Sequence, residues 1–241
     1  MSHETDAVGT PGPETSAAGT AAFEAPTAEE APASELPATL GVKRVLVVGT
    51  GAISVCHLPA FVTLLRHHFE ADTAVCLTRS AREMVSPRAL EVVSGRPVIA
   101  PDWSGDSGPS HVSWADWAEA VIVWPATLNF MSRCAFGLAD SLPSAIVLST
   151  CAPVIFAPSV AEAAVRGGPF RRAVRLLTQD GHGLVGPVVG HSVSNWEMTP
   201  GACAPADKVL RALADLVTRS APPATDPPHP AHSLPHPKGT R

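Results

Sequence analysis

Val45 to Val48 is a short, wholly apolar run that ends at Gly49-Thr50-Gly51 and leads into a helical stretch. The pattern repeats: Thr73 to Leu77 stops at Thr78-Arg79-Ser80, and Ala120 to Trp124 stops at Pro125-Ala126-Thr127. A strand that is apolar at nearly every position has no face to turn to water. Such strands, alternating with helices, belong in a parallel sheet covered on both sides. The expected fold class is therefore α/β, a single domain with helices on both faces of a parallel sheet.

The helices follow from spacing and punctuation. One is expected from Pro59 to Phe69, with Pro59 in its first turn, where a missing N–H costs little. Ala81 to Val93 is helical but must bend or divide at Pro87. Phe130 to Leu138 is another. Phe170 to Gln179 places Phe170, Val174 and Leu177 on one face, and Lys208 to Thr218 carries a stripe of Val209, Leu210, Leu213 and Val217. Ala145 to Leu148 and Val154 to Phe156 read as further strands. Residues 183–203 break the rhythm with Gly and Pro and read as a long, mobile excursion, a type of loop that often carries function.

Both ends differ in composition from the middle. Residues 1–40 are rich in Ala, Pro, Thr, Glu and Gly and contain no Lys or Arg. They offer too little apolar surface to offset ordering entropy, so a disordered acidic tail is expected. They lack the basic start and apolar core of a secretory signal. Residues 221–241, with His229, His232 and His236, read as a second, Pro/His-rich disordered tail. The folded domain is expected over 41–220.

Within it no apolar run reaches the roughly 18–20 residues that span a bilayer, so no membrane partner is expected. The formal net charge of −5 comes largely from the first tail and gives no footprint for nucleic acid. The five cysteines form no CxxC pair and no metal-ligand spacing, which fits reduced thiols in a cytoplasmic protein.

Candidate site residues cluster where strands end. In open α/β sheets ligands bind beyond the carboxyl ends of the strands. The turn Thr50-Gly51-Ala52-Ile53-Ser54 can present backbone N–H groups to an anion, or it is simply a tight strand–helix turn. Thr78 and Ser80 end the second strand and would lie beside it. Arg79 supports a rival reading, since a basic residue there can pair with the 2′-phosphate of NADP. Asn129 follows the third strand and is either a site amide or a cap for the next helix. His111 precedes that strand on a loop; it is a solvated histidine or a proton-transfer group suited to neutral pH. Trp114, Trp117 and Trp124 read as core and subunit contacts.

Taken together, these residues resemble the homo-oligomeric flavin-containing cysteine decarboxylases, most closely the lantibiotic, epidermin-type peptidyl-cysteine decarboxylases. The likeness covers about residues 43–220. Thr50 to Ser54 matches the family's first flavin turn and Thr78 to Ser80 its second. His111 falls where the family keeps its active-site histidine. Pro125-Ala126-Thr127-Leu128-Asn129-Phe130 occupies the Pro-Ala-Ser-Ala-Asn-Thr position, with Leu128 and Phe130 as departures. Pro158-Ser159-Val160-Ala161 stands where the coenzyme A branch has Pro-Ala-Met-Asn, without the amide. Cys203 falls loosely near a cysteine of that branch.

The resemblance implies a Rossmann-like (flavodoxin-like) domain and catalysis by His111 and Asn129. It implies flavin contacts at Thr50, Gly51, Ala52, Ser54, Thr78, Ser80, Thr127, Asn129 and Ser149. FMN is the implied cofactor, with FAD possible. Substrate contacts are implied at Asn129, Trp196 and Met198, with residues 183–203 as a clamp. The implied assembly is a homo-oligomer, trimer or dodecamer.

The chemistry the resemblance implies is oxidative decarboxylation of the C-terminal cysteine of a precursor peptide to an enethiol, as in aminovinyl-cysteine peptide biosynthesis. Cysteine has no electron sink beside its carboxylate. Oxidising its side chain to a thioaldehyde places the carboxylate β to C=S, and the electrons released with carbon dioxide flow into sulfur. A flavin provides that oxidation, which side chains cannot. The alternatives are a phosphopantothenoylcysteine decarboxylase-like enzyme, an NADP-binding Rossmann oxidoreductase using Gly49, Gly51 and Arg79, or a non-enzymatic flavin-fold regulator.

Overall fold

The computed structural model describes residues 36–103, 111–192 and 196–220. The expectations for 1–35, for 221–241 and for most of the loop before His111 lie outside the described residues.

Five parallel strands form the sheet: β1 (Arg44–Gly49), β2 (Asp72–Leu77), β3 (Ala120–Ala126), β4 (Val154–Pro158) and β5 (Gly183–Leu184), in the order β2-β1-β3-β4-β5. Their pairings are parallel throughout. The helices are α1 (Leu58–His68), α2 (Arg79–Arg82), α3 (Pro87–Ser94), α4 (His111–Trp117), α5 (Leu128–Ala135), α6 (Leu142–Ser149), α7 (Glu162–Val165), α8 (Gly168–Gln179) and α9 (Ala206–Ser220), with a 3-10 turn, Ile53–His57, ahead of α1.

Successive strand residues alternate between two cores, as the pleat requires. Val45, Val47, Ile122 and Trp124 pack with Phe61 and Leu65 of α1, Leu90 of α3 and Leu213 of α9. Leu46, Val48, Val121 and Val123 pack with Ala115 of α4, Met131 of α5, Ile146 of α6 and Leu177 of α8. The doubly covered parallel sheet read from the apolar runs is the fold observed.

Several expectations are corrected. Ala145 to Leu148 is not a strand but part of α6. A short apolar run fits a buried helix as well as a strand, and here Leu142 to Val147 are all buried. The start signal was Ser141-Leu142-Pro143-Ser144. Ser141 and Ser144 exchange backbone-to-hydroxyl hydrogen bonds in a capping box, and Pro143 sits in the first turn. Pro87 does divide its helix: α3 begins there, capped by Ser86. His111 is not on a loop but opens α4. Leu40, placed by composition at the end of the tail, is buried at 2% exposure and joins the first core. Residues 183–203 are not one irregular excursion. They supply β5 and an antiparallel pair, β6 (Val188–His191) with β7 (Met198–Ala202). The backbone of Gly201, at φ 132°, lies against the Val160 carbonyl, and Val160 N donates to Gly201 O at 2.9 Å. A side chain at Gly201 would strike that carbonyl, so the glycine lets the pair lie flat on the β4–α7 link.

The amino edge of the sheet is held by two carboxylates. Glu119 accepts from Lys43 N and Arg44 N at 2.7 and 3.0 Å and pairs with the Arg44 guanidinium at 3.0 Å. Asp72 takes both Nε and a terminal nitrogen of Arg96, at 2.8 and 2.5 Å. The Arg96 hydrogen bond and charge hold the Asp72 carboxyl below its usual range. The two backbone N–H donors, then the Arg44 charge, do the same for Glu119. Their stabilisation is thus complete above the unfolded carboxyl values, about 4, and is lost as pH falls through the lower folded values. Urea midpoints measured from pH 7 down to about 3 should decline, and Asp72→Asn with Glu119→Gln should flatten that decline. An equal slope in the double variant would remove the latch.

Candidate functional site

Strand order reverses at β1. The helix that follows β1 covers one face of the sheet and the helix that follows β3 covers the other. A crevice must open between the carboxyl ends of these two strands, where doubly wound sheets take their ligands. All four strands that reach this edge end in a hydroxyl residue: Thr50, Thr78, Thr127 and Ser159.

Backbone bonds stitch the edge together. Thr78 N donates to Gly49 O at 3.0 Å, and Ser159 N to Ala126 O at 2.9 Å. Between β1 and β3 a side chain does the work. The buried Thr50 hydroxyl donates to Pro125 O at 2.7 Å and accepts from Thr127 N at 2.9 Å. Thr50 was expected as a flavin contact; its hydroxyl is engaged in holding the two strand ends.

Gly51 lets the first turn meet the second. A Cβ at Gly51 would lie 2.5 Å from Ser80 Cβ. The two hydroxyl-rich turns are therefore side by side, as expected. Thr78 caps α2 and Thr127 caps α5, each hydroxyl accepting at 3.4 Å from the N–H three residues on. A hydroxyl that accepts in a cap keeps its O–H as a donor. Small residues, N–H groups and O–H donors gathered here suit a phosphate. The residues present thus fit a flavin phosphate.

Asn129 is the second residue of α5, exposed, with Thr127 as the cap in its place. Its Oδ1 accepts from Arg133 Nε at 3.3 Å. His111 opens α4, which is joined to β3 by two residues and returns along the sheet, so His111 lies toward the carboxyl edge. The ring packs edge-on against Trp103, centroids 5.1 Å apart. Its Nδ1 is shielded from solvent and has no hydrogen-bond partner among the described residues. A buried ring nitrogen without a partner is costly unless something else meets it. Ser149 is the exposed last residue of α6, just ahead of β4, and so belongs to the opposite edge. Reading α6 as a strand is what misplaced it.

A cavity of about 1270 Å³ opens between the first turn, α1, the β4–α7 link and the β6–β7 pair. Ala52, Ile53 and Ser54 form one wall, Phe61, Leu64 and Trp124 line it with apolar surface, and Trp196, Gly201 and Cys203 face it from the strand pair. Trp124 is fixed there by stacking on Phe61 at 4.7 Å and by its indole N–H, which donates to Ala204 O at 3.0 Å. Trp196 is 75% exposed and holds a left-handed backbone, φ 59°. His191 Nδ1 fixes it by donating to Trp196 O at 3.1 Å, and Trp196 N donates to Ser192 O. Met198 is exposed and does not line the cavity.

Sequence reading missed Ser159 and gave Cys203 no role. Ser159 ends β4 and meets the Ser54 hydroxyl at 3.4 Å; the strand-end rule was the available signal. Cys203 donates to Ala157 O at 3.5 Å, and burial pushes its thiol up to about 12, so it stays protonated at neutral pH.

A five-stranded 2-1-3-4-5 sheet with hydroxyl-rich turns at its switch point defines a flavodoxin-like, flavin-binding class of domain. The particular family is the Flavoprotein family, to which this chain belongs: residues 33–218 match it. A flavin, FMN, is accordingly its cofactor. The chain is similar to the solved FMN-dependent cysteine decarboxylase SpaF, with 27% identity, a TM-score of 0.64, and coverage of 75% of this chain and 98% of SpaF. It is also similar to the FMN-dependent cysteine decarboxylase TvaF from thioviridamide biosynthesis, at 26% identity and a TM-score of 0.57, over 60% of this chain and 90% of TvaF. Among curated proteins it is 30% identical over 182 residues to the coenzyme A biosynthesis bifunctional protein CoaBC of Haemophilus influenzae. That match takes in 75% of this chain but 45% of CoaBC, so the chain spans less than half of that relative.

Thr50→Val keeps the shape and removes both hydroxyl bonds, stranding the Thr127 N–H. It should cost about 1–3 kcal/mol in urea unfolding, whereas Thr50→Ser should stay near wild type. Equal losses for the two would assign the effect to the β-branch instead of the hydroxyl.

Proposed function

We propose that this chain is a flavin-dependent decarboxylase that acts on the C-terminal cysteine of a precursor peptide, with FMN as cofactor. The observation that carries the reading is the character of the cavity. Among the described lining residues there is no Lys or Arg; the charged group is Glu162, with His57 and His191. A phosphopantothenoyl substrate brings a phosphate dianion, and this cavity offers it no cation. A peptide fits better. Apolar walls of Phe61, Leu64 and Trp124 suit its side chains, and the β6–β7 pair beside them suits its backbone. The volume of about 1270 Å³ also exceeds the roughly 300–1,000 Å³ of a single small-ligand site, which leaves room for an extended peptide end beside the first turn. The missing amide in Pro158-Ser159-Val160-Ala161 supports the same choice.

FMN, when bound, supplies the two-electron oxidation of the cysteine side chain. The Gly51–Ser54 turn and the hydroxyls of Thr78, Ser80 and Thr127 would hold it. His111 takes the thiol proton, which a neutral imidazole can do near pH 7. Asn129 donates its amide N–H to the substrate carboxylate and keeps the reacting conformer in place. Cys203, protonated under its burial, contributes no thiolate that would compete with the substrate's sulfur. Trp196 and the strand pair exclude water from the peptide end.

One chain does not bring these groups together. His111 and Asn129 lie on helices of one sheet face, while the cavity is walled mainly from α1 and the other. Neither residue lines it. Trp103 and Val112 beside His111 are 55% and 49% exposed. A second copy seated on that surface would cover them and bring its own cavity to this His111, so the working unit is a homo-oligomer, a trimer or a multiple of trimers.

Flavin-loaded protein incubated with peptides ending in cysteine should lower their mass by carbon dioxide and two hydrogens. His111→Asn should keep the flavin spectrum and slow the reaction by about 10²–10⁴. A wild-type rate in that variant would falsify the role of His111, and no mass change with any peptide would remove the reading. Co-expressing His111→Asn with a Trp196→Asp subunit should restore part of the activity each lacks alone; none restored would mean each chain completes its own site.

A further inference from the structure

We infer that Arg133, held by Asp140, is a positioning residue that decides which end of the Asn129 amide faces the substrate; this rests on the peptidyl-cysteine reading. The Arg133 guanidinium donates hydrogen bonds and cannot accept them. Arg133 Nε stands 3.3 Å from the Asn129 side chain, one helical turn away on α5. A guanidinium has only N–H groups to offer. The atom of Asn129 that meets it must therefore be the carbonyl oxygen, and the NH₂ group is turned away from Arg133.

That polarity matters because Asn129 is exposed and has no other side-chain partner among the described residues. A free amide at a helix surface would present oxygen and nitrogen almost equally. Oxygen repels a carboxylate; nitrogen binds it. Fixing the amide removes the repelling half of that population. Arg133 is itself fixed, because its other end pairs with Asp140, beyond the end of α5. Asp140 also neutralises the guanidinium, so Arg133 acts through its geometry more than through its charge. The chain Asp140–Arg133–Asn129 runs along one side of α5 and ends at the carboxyl edge of the sheet. Sequence reading assigned none of it beyond Asn129.

The test separates this inference from the decarboxylation reading by using a ligand that cannot react. Full-length, flavin-loaded protein is titrated with a peptide ending in serine in place of cysteine, as the free acid and as the C-terminal amide. Wild type should bind the acid more tightly than the amide. Arg133→Met should lose about three- to tenfold in affinity for the acid, the effect of one hydrogen bond, and leave the amide unchanged. Arg133→Lys, which still donates, should recover most of the difference. In an Asn129→Ala background, Arg133→Met should add nothing further, because the two act as one unit.

Wild-type affinity in Arg133→Met would overturn the inference. So would an added loss in the Asn129→Ala background, which would mean that Arg133 touches the carboxylate directly. With cysteine peptides the same variants should raise KM with little change in kcat. If serine peptides show this pattern and cysteine peptides are not decarboxylated, the positioning stands and the proposed reaction fails.

Discussion

The Thr50 hydroxyl sits where the sheet has least reason to hold together. β1 sends its helix to one face and β3 sends its helix to the other, so the chain diverges just beyond the two strand ends. Backbone pairing stops there, and β3 is already out of register with β4 between Val123 and Ala126. One side chain, donating to Pro125 O and accepting from Thr127 N, closes the gap with both of its hydrogen-bonding functions used. A hydroxyl buried without partners would cost about 1–3 kcal/mol; here it is satisfied at both ends. The floor of the crevice is fixed by it, and Thr127 is thereby set to cap α5. The position of Asn129, two residues later, follows from that cap.

The same topology divides the chemistry. Because the β1 and β3 helices take opposite faces, the first turn opens toward the α1 side while His111 and Asn129 belong to the α4–α5 side. The large cavity and His111 are thus features of one strand edge seen from two sides. Trp103 and Val112 are exposed, and His111 Nδ1 has no partner among the described residues. In the proposed oligomer a second copy over this surface would bury apolar area worth about 25 cal/mol per Å².

What the sequence disclosed follows from how each element is stabilised. β1 to β4 were legible because burial on both faces leaves no polar position to blur them. Pro87, the Gly49–Ser54 turn and the hydroxyls that follow β1, β2 and β3 were legible because they act locally. α6 was not, since it is buried on nearly every side and shows no helical period; only its Ser141–Ser144 cap betrayed it. That error carried Ser149 from the wrong edge of the sheet into the expected flavin set. β6 and β7 were not legible because their pairing rests on contacts across the fold. Gly201 against Val160 is one, and residues so far apart in sequence leave no local pattern. Leu40 looked like tail because composition averages over a window, and one buried leucine does not change the average.

The site itself was legible in its parts but not in its charge balance. Reading motifs gave hydroxyls, a histidine and an amide; it did not show that the large cavity lacks a cation among its described walls. That lack has a physical consequence for both ligands. A flavin phosphate at the first turn would be met by N–H and O–H donors, which bind an anion through direction and so depend on a close, fixed approach. The contact of Gly51 with Ser80 provides that approach, and a larger residue at either turn would prise the donors apart. A second anion, the carboxylate of the proposed peptide substrate, would find no Lys or Arg among the cavity's described walls and would look to α5. There the guanidinium of Arg133 is already neutralised by Asp140. On that proposal the carboxylate would be left with the Asn129 amide, a neutral donor that would bind it without neutralising it. A carboxylate held this way keeps its charge and its electrons available, and that is the state from which carbon dioxide leaves.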